Sequence, residues 1–174
     1  PVHFFGPEWG IYIKQEAIVD LAKAIAAFYP SSLSRIIRKG RVAPRLDRYQ
    51  LATALIRAGF SLLFLHEHYH HKVESFSIRL HVVEQTTRFL PYHKDVYQAN
   101  VGKSTQLEES LANADAYRRL DQIPYQRVLG NAVTDATKRF AEVMFETSPP
   151  GYKEALSYLK ERQFLPAENI LQER

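Results

Sequence analysis

From about Asp47 onward, Leu51, Ala54, Leu55, Ala58, Leu62 and Leu65 recur at the i, i+3, i+4, i+7 spacing of one buried helical face. The stripe runs without interruption into His66-Glu67-His68-Tyr69-His70. On a helix, positions i and i+4 stand one above the other on one face. His66 and His70 therefore fall on the line that the helix buries, together with Leu55, Ala58, Leu62 and Val73. A buried imidazole pair needs partners, because burying a polar group without one is costly. A metal ion shared by the two rings is the simplest way to supply them.

The pattern His-Glu-x-x-His has a known chemistry. Two imidazoles one helical turn apart can close on one Zn²⁺, and the intervening Glu can reach a metal-bound water without being a ligand. Chance would supply on the order of 0.02 such matches in a chain with 7 His. Six of those seven His lie between positions 66 and 93. His68 and His71 point away from the ligand face of the helix. Glu74, four residues after His70, stays on that face. A ligand set of His66, His70 and Glu74 would spread over about 12 Å of helix axis at ~1.5 Å per residue, too far to converge on one ion. Glu74 is read instead as orienting a ligand His.

A third ligand must come from elsewhere in the chain. Thr105-Gln106-Leu107-Glu108 has capping-box spacing, which assigns Glu108 to helix initiation. Glu109 then shares a face with Ala112, Asn113 and Ala116, whose small side chains allow close helix approach. HEHYH followed by EESLAN resembles the gluzincin group of zincin metallopeptidases, which carry His-Glu-x-x-His on one helix and a Glu ligand on a later one. The resemblance covers about 66–117. It implies that His66, His70 and Glu109 bind Zn²⁺, and that Asn113, standing where Asp is commoner in such families, orients a ligand ring. It also implies a zinc-dependent hydrolase, most simply a metallopeptidase, in which Glu67 takes a proton from the zinc-bound water as that water attacks a peptide carbonyl. Tyr92, His93 and Tyr97, between the ligand helices, are the candidates to stabilise the oxyanion.

The fold class expected is α+β, mostly α-helical and zincin-like. Residues 3–13 are aromatic and β-branched, with Gly6-Pro7 as a turn, and Gly10–Ile13 reads as a strand of a small N-terminal sheet. That strand could offer an edge to an extended peptide. Helices are expected from about Gln15 to Pro30, Asp47 onward, Gln106–Leu120, 125–146 and 152–162, with a loop over Phe89–Gly102. At 174 residues, 45% hydrophobic and 24% charged, the chain reads as one domain over 1–174. Its parts are an N-terminal strand and helix (about 1–45), the metal-binding helices (46–122) and C-terminal helices (123–174).

With no Cys, disulfides and thiolate ligands are excluded. Neither a signal peptide nor a membrane-spanning run is visible, so the expected location is the cytoplasm and the expected partner a peptide or protein substrate. A net charge of +4 does not establish a nucleic-acid partner. The six cations between Arg35 and Arg48 read as a solvated connector, or else as a patch for an acidic peptide or phosphate. Gly102-Lys103-Ser104 mimics the end of a P-loop, but Tyr97 stands where its leading Gly belongs. The competing class is a non-catalytic basic helical binding protein with a structural or vestigial zinc site.

Overall fold

The computed structural model describes residues 10–40, 46–85 and 91–173, and every regular element among them is helical. In order they are α1 (Gln15–Ala26), α2 (Tyr29–Arg38), α3 (Arg48–Glu84), a π-helical turn (Tyr92–Tyr97) running into a 3₁₀ turn (Gln98–Asn100), α4 (Leu107–Arg119), α5 (Ile123–Leu129), α6 (Asn131–Thr147), a 3₁₀ turn (Lys153–Tyr158) and α7 (Glu161–Gln172). The α+β expectation is therefore wrong for this chain. Gly10–Ile13 is irregular chain leading into α1, and no strand occurs among the described residues. Ile11, Tyr12 and Ile13, three residues of high strand propensity, form no sheet without a partner strand to pair with. The rest of the expected N-terminal sheet, residues 3–9, lies outside the described residues.

Several helix boundaries have local causes. Asp47 caps α3: its Oδ1 accepts from the backbone N–H of Tyr49 and Gln50, both at 2.8 Å, and Gln50 Oε1 accepts from Asp47 N–H at 3.0 Å. This reciprocal arrangement satisfies donors that the first turn would leave orphaned. Pro30 opens α2 instead of ending a helix, since its missing N–H costs nothing in a first turn. Gly130, at φ +74°, divides the expected 125–146 helix into α5 and α6. Arg35 and Arg38 lie on α2, so the first half of the basic segment is helix and not connector.

The helices group into two compact units. One combines Leu65–Asp115 with Phe145–Arg174, and the other Tyr12–Phe64 with Ala116–Met144. In the second, Ile25, Ala58, Leu62, Leu120 and Val133 are buried, and α1 crosses close to α3 at Gly59, where a Cβ would stand 2.7 Å from the Ile18 carbonyl oxygen. In the first, Leu65, Tyr69, Leu111, Ala112, Phe145 and Phe164 form the core. His66, His70, Glu108 and Glu109 all belong to this first unit. No helix among the described residues is long and apolar enough to cross a membrane.

Candidate metal centre

The α3 stripe carries His66 and His70 inward, as its spacing predicts. Both rings face the start of α4, with centroids 4.8 Å apart. Three possible ligand atoms meet there. His66 Nε2 and His70 Nε2 are 3.2 Å apart, and Glu109 Oε2 stands 3.4 Å from each. Ligands held about 2.0–2.2 Å from a tetrahedral ion stand roughly 3.3–3.6 Å from one another, so the triangle has the edge length of one face of such a site. Glu109 Oε2 is buried and has no hydrogen-bond partner. Among the described residues, His66, His70 and Glu109 are the group that could hold a metal ion.

The polar contacts around the triangle set its orientation. His70 Nδ1 lies 2.7 Å from Glu108 Oε1. A carboxylate only accepts, so Nδ1 donates, and in its neutral form a ring so held would turn its Nε2 lone pair to the centre. The other Glu108 oxygen accepts from the Tyr92 hydroxyl. Glu109 Oε1 accepts from the Tyr97 hydroxyl at 2.7 Å, which leaves Oε2 for the triangle.

A proton shared within the triangle is the alternative to a metal. Charge-assisted N–H···O bonds close to about 2.7–2.9 Å, as His70 Nδ1 does with Glu108. The 3.2–3.4 Å edges are longer than that. They suit atoms that repel one another as neighbours and attract a common cation. Burial alone would lower the His70 imidazole, but the hydrogen bond to Glu108 and the nearby Glu109 carboxylate lift it to about 10. Burial alone would raise the Glu109 carboxyl, and the two imidazoles outweigh it and hold the group well below the usual carboxylate range. Both directions are those of a positive charge on the His70 ring beside an ionised Glu109. The donor set of two imidazoles and one carboxylate is the one found in zinc hydrolases.

Several sequence assignments change role. Glu108 is not a cap. Its carboxylate is buried against His70 and Tyr92, a tertiary partnership that displaces the local one with Thr105, whose hydroxyl donates to Asn100 Oδ1 at 2.5 Å. Asn113 is buried one turn beyond Glu109, but the His70 N–H is held by Glu108, and His66 Nδ1 is buried without a partner. Asn113 therefore orients neither ring. Tyr92 and Tyr97 hold the two carboxylates by their hydroxyls. Glu74 is buried one turn below His70, and desolvation pushes its carboxyl up to about 7. Glu67 is half-buried on α3 next to His66.

One residue of the centre was not anticipated. Tyr152 lies near Glu109 and Glu67; partial burial first, and then those two carboxylates, push its phenol up. It is brought there by Ser148-Pro149-Pro150-Gly151, which reads in sequence only as a helix separator. The Ser110 hydroxyl donates to the Gly151 carbonyl at 2.5 Å, tying this loop to α4. Gly151 has φ +95°, and a Cβ there would stand 2.9 Å from Gln106 Oε1. Only glycine fits both the backbone conformation and the space.

Compared with protein-family models, with curated proteins and with solved structures, the chain matches none.

Proposed function

We propose that this chain is a zinc-dependent hydrolase acting on peptide bonds. The observation that carries the reading is the triangle of His66 Nε2, His70 Nε2 and Glu109 Oε2, three possible ligand atoms at 3.2–3.4 Å that include a buried carboxylate oxygen with no hydrogen-bond partner. Zinc held there would polarise a carbonyl and lower the pKa of a water. The peptide as substrate rests on the resemblance of HEHYH and EESLAN to the gluzincin pattern.

The chain's own residues then divide the work. Glu108 fixes the His70 tautomer and ring angle, and Tyr92 fixes Glu108. Tyr97 takes one Glu109 oxygen and leaves the other for the ion. Glu67, one residue along from His66 and outside the triangle, accepts the proton of the attacking water and delivers it to the leaving amine. Tyr152, which lies near both Glu67 and Glu109, is the donor assigned to the developing oxyanion.

The test is zinc content by atomic absorption together with cleavage of a peptide library by wild type and Glu67→Gln. The wild type should bind one zinc and cleave. The variant should keep its zinc and lose roughly 10²–10⁴-fold in rate, the range of general acid–base contributions. Equal rates would remove Glu67 from the mechanism. Bound zinc without hydrolysis by wild type would place the chain with non-catalytic binding proteins.

A further inference from the structure

The two tyrosines that hold Glu108 and Glu109 stand five residues apart, at the two ends of the π-helical turn Tyr92–Tyr97. In an α-helix, at about 100° per residue, side chains five apart point about 140° away from one another. In a π turn the backbone bonds from i to i+5, which brings those two residues onto neighbouring turns of one side. Tyr92 is buried on Glu108. With that end anchored, the π register is what carries the Tyr97 hydroxyl to Glu109, the next residue of α4.

The backbone does not fix this register by itself. At the end of the turn the Gln98 N–H is shared between the His93 carbonyl, five residues back, and the Lys94 carbonyl, four back. The first bond belongs to the π register and the second to the α register. Side chains repeat the first. Gln98 Nε2 donates to His93 Nε2 at 3.0 Å, again across five residues. The His93 ring also stacks on the Tyr97 ring, with centroids 5.7 Å and planes 15° apart. Tyr97 in turn meets the His70 ring edge-on at 6.0 Å. Where one N–H is already divided between two registers, a single side-chain bond is enough to decide between them.

We propose that His93 and Gln98 form a clamp that selects the π register and so places Tyr97 on Glu109. They are positioning residues, acting on the metal centre through the Tyr97 hydroxyl. With its Oε1 held by that hydroxyl, Glu109 presents Oε2 to His66 and His70. Released into the α register, Tyr97 turns away, and the carboxylate is free to rotate out of the triangle. Gln98 is exposed and His93 half-buried, so replacing either opens no cavity in the core. The consequence for zinc rests on the proposed function; the clamp on the backbone register does not.

Hydrogen exchange followed by NMR in the zinc-free protein tests the clamp, and zinc titration tests its consequence. The Tyr97 and Gln98 amides should exchange about tenfold faster in His93→Ala and in Gln98→Ala than in wild type, with the amides of α3 and α4 unchanged. Unchanged exchange in both variants would overturn the clamp. Zinc affinity should fall severalfold in each variant, and about tenfold in Tyr97→Phe, the low end of what a group orienting a metal ligand contributes. In a Tyr97→Phe background, His93→Ala should alter zinc affinity by less than twofold, because its effect passes through the hydroxyl already removed. Full additivity of the two substitutions, or faster exchange with zinc affinity unchanged, would overturn the positioning role. If the wild type takes up no zinc, the proposed function fails, and the exchange rates alone decide the clamp.

Discussion

Two polar clusters of this molecule invite comparison, one in each unit. In the second unit, Arg35 lies 3.5 Å from Asp135, Lys138 is paired with Asp121, and the Tyr117 hydroxyl donates to Glu142. Every contact there joins a donor to an acceptor, although the second Asp135 oxygen and the neighbouring Thr134 hydroxyl are buried without a partner. In the first unit, His70 Nδ1, Tyr92 and Tyr97 likewise meet carboxylates, but those contacts surround three possible ligand atoms that meet one another. A network that closes on itself contributes to the fold. A network whose outer bonds hold two imidazoles and a carboxylate together at its centre is one that could hold a metal ion.

The difference can be broken at its strongest point first. Glu109→Ala leaves two protein ligands and removes the only charged one, so zinc binding and hydrolysis should both be lost in a competition titration and a peptide assay. Glu74 comes next. Its carboxyl is buried and raised from 4.5 to about 7, so the folded state holds its proton more tightly than the unfolded chain. Folding is then unpenalised below about pH 4 and penalised increasingly as pH rises to about 7, to the extent of roughly 3 kcal/mol at 1.36 kcal/mol per unit. Glu74→Gln should raise the melting temperature above pH 7 and leave it unchanged near pH 4. A pH-independent difference would contradict this.

Smaller effects follow. Glu108→Ala frees the His70 ring and should weaken zinc by about 10–100-fold, with the fold retained by circular dichroism. In the closed cluster, Lys138→Ala removes a pair whose Asp121 is more than half exposed. It should cost no more than about 1 kcal/mol in denaturant melts and leave zinc affinity unchanged. Should Lys138→Ala alter zinc affinity as strongly as Glu108→Ala, the two clusters would not be distinct in kind.

How far these features could be read from the chain alone varies with the range of the interaction that creates them. The α3 stripe is periodic over many turns, so its buried face and the inward aim of His66 and His70 were legible. Glu109 was legible because its face is marked by Ala112 and Ala116. Glu108 was misread because Thr105-x-x-Glu108 offers a local partner, whereas its actual one, His70, is 38 residues away. Tyr152 left no trace because the loop that carries it is recognisable only once Gly151 is seen packed on Gln106. The expected sheet rested on residue propensity near the N-terminus. Propensity for strands reflects packing against neighbours that must exist elsewhere, and among the described residues none does.

X-ray absorption at the zinc edge of the metal-loaded protein tests the central claim most directly. One zinc per chain is expected, four-coordinate, with two imidazole nitrogens at about 2.0–2.1 Å and the remaining ligands oxygen. Glu109→Ala should no longer yield this site. A protein that takes up no zinc, or a zinc shell without two imidazoles that persists unchanged in Glu109→Ala, would contradict it.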